Sequence, residues 1–131
     1  TLVCMGEFSY EFGFNAMSEI LKLSPDVDSV YCSTDLIAFG VIDSVKKVGM
    51  CVPEDIWVVG HDDVPAASWE SYSLTTLRVG FNRAAHEAVR LVLDRISEPR
   101  KMPEWSELEP SLVIRASTGV RDGPLSQRDK S

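Results

Sequence analysis

The chain has 131 residues, 44% of them hydrophobic and 25% charged, which suits one soluble domain with a real core. No apolar run approaches the roughly 20 residues that a membrane-spanning helix needs, so we expect no membrane association. Lys and Arg number 13 against 20 Asp and Glu, and the net charge of -7 excludes the basic surface that nucleic-acid binding requires. Any contact with DNA must therefore come from outside this chain.

The cysteine pattern indicates reduced thiols in a cytoplasmic protein. Cys4, Cys32 and Cys51 are odd in number and follow no metal-binding spacing, so we expect them to act as small buried hydrophobic residues. The sequence predicts neither a metal site nor a cofactor. Because the chain begins at Thr1 without an initiator Met or a signal segment, we expect it to be part of a longer protein.

The apolar periodicity switches between strand-like and helix-like, which is typical of an α/β protein. A short strand is predicted at residues 2–5, then a helix at about residues 10–23 that Ser9 can cap. A strand at residues 27–32 leads to a second helix with Thr34 as its N-cap. The strand–helix order predicts a right-handed parallel sheet flanked by helices.

The second helix should end at Gly49, and a third strand is predicted at residues 55–59. Residues 64–76 have no clean period and predict a long, partly apolar connection. Asn82 can cap a strongly amphipathic helix over about residues 82–97. A last strand is expected near residues 112–114, and residues 120–131 are expected to form a polar, frayed tail.

Three segments follow the predicted strands, and in open parallel sheets ligands bind at those carboxyl ends. The segments contain an aromatic residue, hydroxyl groups and carboxylates: Gly6-Glu7-Phe8, Ser33-Thr34-Asp35 and Gly60-His61-Asp62-Asp63. A ring can cover an apolar ligand face, and a carboxylate can accept two hydrogen bonds. We therefore expect a site for a polyhydroxylated or nitrogen-rich small molecule.

Each candidate has an alternative role. Phe8 could belong to the core, Thr34 could be only a helix cap, and Asp35 only a favourable first-turn charge. Either aspartate at 62 and 63 could brace its loop by hydrogen bonds to the backbone. Trp69 could be a lid, a core residue or an interface anchor, of which we favour the last. Without a P-loop, a G-x-S-x-G motif or a metal cluster, an enzyme using these aspartates is disfavoured.

One long stretch, "VYCSTDLIAFGVIDSVKKVGMCVPEDIWVVGHDDVPAASW", followed by "LTTLRV" and "LVIRAST", resembles the C-terminal half of LacI/GalR-family transcriptional regulators. The most specific motifs are Val52-Pro53-Glu54-Asp55 before "VVGHDD", then Leu74-Thr75-Thr76, then Arg115-x-Ser117-Thr118. The resemblance covers roughly residues 2–119.

The resemblance implies the C-terminal lobe of a periplasmic-binding-protein-like (type I) fold, incomplete here, with residues 1–119 in the effector-binding domain. It further implies that helix 82–97 packs in a second lobe and that an upstream helix-turn-helix domain contacts DNA. By the same resemblance, Phe8 and Asp62 contact the effector, and residues around Thr34 and Asp35 line the same cleft. We expect Asp63 to shape the loop towards the dimer surface.

The surfaces around Phe39 and Trp69 correspond to those used for dimerisation in such regulators, which implies a homodimer. The implied effector is a sugar or a nucleobase or nucleoside. A periplasmic sugar-binding receptor of a transporter shares the fold and is the alternative; the unpaired cysteines and the V-P-E-D motif weigh against it.

Overall fold

Four strands form one mixed sheet in the computed structural model, which describes residues 1–119. The predicted polar tail, residues 120–131, lies outside the described residues. In chain order the elements are α1 (Tyr10–Leu23), β1 (Ser29–Tyr31), α2 (Asp35–Lys47), β2 (Trp57–His61), a 3-10 turn (Pro65–Ser68), β3 (Thr75–Arg78), α3 (Phe81–Ser97) and β4 (Ser111–Val113). No helix within residues 1–119 is long and apolar enough to cross a bilayer.

The strand order is β1-β2-β3-β4, with β1, β2 and β3 parallel. This confirms the predicted α/β fold with a parallel sheet, but the last strand differs. β4 runs antiparallel to β3, with Arg78 opposite Ser111. A right-handed parallel crossover needs its helix packed on the sheet. α3 buries none of its residues, and the chain returns beside β3 as its antiparallel partner.

Local capping chemistry sets the ends of α1 and α2 as predicted. The Ser9 hydroxyl accepts a hydrogen bond from the Phe12 amide at 3.0 Å, and the Thr34 hydroxyl accepts one from the Ile37 amide at 3.3 Å. Beyond α2, Gly49 has φ +82°, a conformation that glycine adopts without strain. The predicted bounds of α1 are therefore confirmed, and α2 begins directly after its predicted cap.

Close packing of α1 on α2 depends on two glycines. A Cβ atom on Gly13 would overlap the carbonyl oxygen of Ile37, and one on Gly40 would overlap the carbonyl oxygen of Tyr10. The core below these helices is formed by fully buried apolar side chains: Met17, Ile42, Val45, Ile56, Val58 and Leu74.

The predicted strand at residues 2–5 is wrong. These residues are exposed and make no sheet pairing within residues 1–119, where β1 pairs only with β2. A cavity of about 620 Å³ lies beside β1 and is lined in part by residues 1–4. A strand requires a partner edge, and this segment lies across the cavity from β1 without bonding to it.

Three other predicted boundaries shift. β1 is shorter than predicted, β2 lies two residues later than predicted, and β4 begins one residue earlier. The connection at residues 64–76 contains a 3-10 turn and the start of β3, a strand that periodicity missed because its buried residues are threonines. α3 begins before Asn82, which caps nothing, because the Ala84 amide already bonds the Gly80 carbonyl at 2.9 Å.

The three cysteines differ in their environments. Cys32 is buried, and burial followed by the nearby Asp35 charge raises its thiol pKa to about 12. Cys4 and Cys51 are exposed, so the expectation of three buried thiols is wrong for two of them. Cys4 lies in the unpaired N-terminal segment, and Cys51 lies in the turn before β2, where neither has an element to pack beneath.

The apolar stripe of α3 lies in the open. Its large side chains are all exposed, namely Phe81, Val89, Val92, Leu93 and Ile96. The described residues therefore leave the apolar face of α3 exposed, although Arg90 and Arg95 on the same helix bond to the segment that follows it.

Candidate ligand-binding site

The carboxyl ends of β1, β2 and β3 lie at one edge of the sheet, because the three strands are parallel. Two hydrogen bonds hold this edge together. The Asp35 carboxylate, at the start of α2, accepts one from the Thr76 hydroxyl at 2.6 Å and one from the Val64 amide at 2.9 Å. The predicted segments after β1 and β2 thus meet at this edge, and β3 joins them there.

Asp35 is fully buried, with both carboxylate oxygens occupied by those bonds. A Cβ atom on Gly60 would overlap one of these oxygens, so the glycine after Val59 makes room for the carboxylate. Asp35 therefore connects the start of α2 to β3 and to the loop after β2 from inside the fold. Its contact with a ligand stays a prediction.

The two neighbouring aspartates occupy different environments. Asp62 and Asp63 have φ angles of 114° and 57°, in the region that favours glycine. The Asp62 amide donates to the Leu77 carbonyl at 2.9 Å, but its carboxylate accepts no hydrogen bond from residues 1–119. Burial raises the pKa of Asp62, the His61 charge lowers it and the Asp35 charge raises it further, so the net shift is upward.

Asp63 is held by two arginines. Arg78 Nε and Arg115 Nη2 each lie 2.6 Å from one of its oxygens. Burial opposes ionisation of Asp63, but the hydrogen bonds from Arg115 and Arg78 outweigh it and hold the pKa below its ordinary value. Asp63 thus braces the loop through ion pairs with side chains, where backbone hydrogen bonds were expected.

Phe8 and Thr34 complete the predicted ligand set. Phe8 is 73% exposed in the bend before α1, which rules out a core role within the described residues. No hydrogen bond or ring contact among residues 1–119 joins it to Asp62. Thr34 is the N-cap of α2, as its alternative role predicted. The 620 Å³ cavity is lined by none of the four predicted ligand residues.

The L-T-T and R-x-S-T motifs bind each other. Ser117 is buried; its hydroxyl donates to the Val58 carbonyl at 2.6 Å and accepts from the Thr75 amide at 2.8 Å. The Thr75 hydroxyl donates to the Arg115 carbonyl at 3.0 Å and lies 2.7 Å from the Thr118 hydroxyl. Sequence reasoning gave these residues no role, although hydroxyl groups within apolar segments were a signal for buried hydrogen bonds.

The two predicted interface residues lie at different depths. Phe39 is only 6% exposed and packs on Tyr72, with ring centroids 4.3 Å apart. Trp69 is 61% exposed. The Tyr72 hydroxyl donates to Asp43 at 3.2 Å, which fixes the segment after Trp69 against α2. Trp69 therefore presents a free ring, while Phe39 supports this surface from below.

A mixed sheet with helices, and with polar residues collected at the carboxyl ends of its parallel strands, is an α/β fold of the kind that binds ligands at that edge. The sequence profile described as periplasmic binding protein-like domain matches residues 5–118, and the chain belongs to this family.

Three similar proteins illustrate the relationship. The HTH-type transcriptional repressor PurR of Yersinia enterocolitica is 38% identical over 123 residues, which cover 94% of this chain and 36% of that protein. The structure of the transcriptional regulator CelR in complex with cellobiose matches with a TM-score of 0.81 and 35% identity, covering 86% of this chain and 34% of that one. A LacI family transcriptional regulator from Enterococcus faecalis V583 with bound ribose matches with a TM-score of 0.78 and 31% identity, covering 86% and 41%.

The predicted resemblance to LacI/GalR-type effector-binding cores is confirmed by these matches. The chain spans about a third of the length of the curated relatives that it matches.

Proposed function

We propose that this chain is the effector-sensing and dimerisation part of a LacI-type DNA-binding transcriptional regulator. The observation that carries the proposal is the Asp62 carboxylate, which accepts no hydrogen bond from the described residues and lies at the carboxyl edge of the sheet. In open α/β sheets this edge binds ligands. Similarity to PurR and CelR supports a regulator over an enzyme.

The effector we propose is a sugar or a nucleobase or nucleoside. An ionised Asp62 accepts two hydrogen bonds from vicinal hydroxyls or ring N–H groups. The exposed ring of Phe8 covers the apolar face of such a ligand. Thr34 and Asp35 define the floor between them, with Asp35 acting through the edge that it holds together. The cellobiose and ribose complexes of similar regulators support the sugar class.

A second lobe completes the cleft in this proposal. The exposed stripe of α3 packs in that lobe, which removes a large apolar surface from water. Ligand held between the lobes shifts the equilibrium between their arrangements. An upstream helix-turn-helix domain reads that shift as a change in its affinity for DNA, and the regulator acts in the cytoplasm.

Trp69 anchors the homodimer in this proposal. Its ring is exposed on a segment that Tyr72 and Phe39 fix to α2, and rigid exposed aromatic residues dominate protein interfaces. Phe39 contributes by holding Tyr72, since it has little free surface of its own.

The test uses the full-length protein and two aspartate variants. Asp62→Asn removes the proposed ligand contact, and Asp26→Asn is the matched control on an exposed turn at the opposite end of the sheet. Thermal shift with cellobiose, lactose, ribose, guanine and hypoxanthine measures ligand binding. Selection of duplexes from a random DNA pool measures sequence-specific DNA binding.

We expect specific duplexes to be selected, and one ligand class to stabilise the parent and Asp26→Asn but not Asp62→Asn. Tight sugar binding without any selected duplex would favour the periplasmic receptor. Equal stabilisation of both variants would contradict the role of Asp62.

A further inference from the structure

We propose that Asp63 is a positioning residue that connects the ligand contact at Asp62 to the two chain segments that cross between the lobes. This inference rests on the proposed function, because it assigns the path by which effector binding reaches the rest of the regulator.

Asp63 joins both crossing segments at once. Arg78 is the last residue of β3, where the chain leaves this sheet for α3. Arg115 lies two residues beyond β4, where the chain has returned. One carboxylate oxygen of Asp63 bonds each arginine, at 2.6 Å in both cases. The Asp63 side chain therefore contacts both the departing and the returning segment, and a relative movement of the two changes its ion pairs.

The two ion pairs differ in how firmly they are held. The Asp63 side chain is 8% exposed, and those of Arg115 and Arg78 are 17% and 55% exposed. Arg115 also donates from Nη1 to the Leu74 carbonyl at 2.7 Å, so it is fixed to the start of β3. Among residues 1–119, Arg78 has Asp63 as its one ion partner. Arg78 is thus the partner that a movement of the crossing segment can release.

The backbone connects this ion triplet to the ligand residue. Asp62 and Asp63 are consecutive residues with positive φ, a conformation that costs free energy unless surrounding contacts hold it. The Asp62 amide bonds the Leu77 carbonyl at 2.9 Å, and the next residue, Arg78, bonds the Asp63 side chain. Two adjacent residues of β3 thus hold two adjacent residues of the loop.

A ligand that displaces Asp62 therefore also displaces the crossing segment, through the Asp62–Leu77 hydrogen bond and the Asp63–Arg78 ion pair. Conversely, a rotation of the lobes that moves Arg78 must strain or break its bond to Asp63. Leaving a buried carboxylate with one partner instead of two is costly, so the pair favours one lobe arrangement.

The experiment compares variants of the full-length protein. Arg78→Gln removes the exposed partner, Arg78→Lys is the conservative replacement, and Asp63→Asn removes the shared carboxylate. Lys22→Gln is the matched control, since it removes one exposed ion pair, that with Glu19, far from this edge. Hydrogen exchange of the Asp62 amide reads the positioning without any ligand, and the melting temperature reads global stability.

We expect Asp62 amide exchange to be about ten-fold faster in Arg78→Gln and Asp63→Asn, because local opening of the loop becomes easier. Arg78→Lys should restore slow exchange in part, and Arg78→Gln should lower the melting temperature more than Lys22→Gln does, because it leaves the buried Asp63 carboxylate with one partner. Unchanged exchange, or equal acceleration in Lys22→Gln, would overturn the proposal.

A second measurement addresses the connection to DNA. With duplexes selected from a random pool and cellobiose, ribose or guanine as the added ligand, the parent should change its DNA affinity on ligand addition. Arg78→Gln should retain ligand affinity within about two-fold and lose most of that response. A full response in Arg78→Gln would overturn the coupling role. If the parent itself binds no duplex, the proposed function fails and the coupling fails with it, whereas the exchange result still decides the positioning.

Discussion

Ser117→Ala should destabilise the fold strongly, because it removes a buried hydroxyl that bonds both β2 and β3. The Ser117 hydroxyl donates to the Val58 carbonyl and accepts from the Thr75 amide, and Thr75 is itself only 2% exposed. Removing the hydroxyl leaves a buried amide and a buried carbonyl each short of a partner. Each lost bond costs about 1–3 kcal/mol, so we expect a loss of about 2–6 kcal/mol in the free energy of unfolding.

Urea denaturation followed by circular dichroism measures this loss. Ser68→Ala is the matched control, because the Ser68 hydroxyl also donates to a carbonyl, that of Pro65 at 2.8 Å, but is exposed. We expect the control to change the free energy by less than about 0.5 kcal/mol and neither variant to change the denaturant slope. If Ser117→Ala cost no more than Ser68→Ala, the claim that the two motifs hold β2 and β3 together would be refuted.

Three further predictions follow from contacts and charges. Gly40→Ala should lower the free energy of unfolding by about 1–3 kcal/mol, because its Cβ overlaps the Tyr10 carbonyl; an unchanged urea midpoint would contradict this. The pKa of Asp63 is lower in the folded state than in the unfolded state, so the unfolded state binds more protons between the two values. The stabilisation that Asp63 contributes is therefore present above about pH 3.9, the unfolded value, and is lost as pH falls through the folded pKa. Asp63→Asn should flatten this part of the pH profile, and an identical profile would count against the ion triplet. Finally, the chain alone should self-associate through the exposed apolar face of α3, and Leu93→Glu should return it to a monomer in sedimentation velocity. A parent chain that stays monomeric at high concentration would contradict this prediction.

Local chemistry made the helices predictable. Ser9 and Thr34 cap α1 and α2 because a hydroxyl three residues before an amide satisfies it whatever the rest of the fold does. Gly49 ends α2 for an equally local reason. Asn82 does not cap α3 because the helix hydrogen bonds begin at Gly80, and glycine has no side chain from which that start could be predicted.

Long-range pairing explains what the sequence could not supply. β3 was missed because Thr75 and Thr76 have a polar appearance, and only their bonds to Ser117, Arg115 and Asp35 allow burial. Residues 2–5 have the composition of a strand but lack a bonded neighbour among residues 1–119.

In the candidate site, too, local roles were predictable from the sequence and long-range contacts were not. The separation of a ligand aspartate from a bracing aspartate was predicted at residues 62 and 63, and the geometry of Asp63 agrees with bracing. The partners of Asp63 were not predictable, since Arg115 lies 52 residues away. The burial of Asp35 likewise depends on Thr76, 41 residues along the chain.

The most direct test of the proposed function is a titration of the full-length protein, bound to a fluorescent duplex selected from a random pool, with the ligand that stabilises it in thermal shift. We predict that fluorescence anisotropy will show the ligand changing DNA affinity by about 5- to 150-fold in the parent and in Asp26→Asn, and by less than two-fold in Asp62→Asn. An Asp62→Asn protein that responds like the parent would contradict the account, because the carboxylate that it places at the centre of effector sensing would then have no part in it.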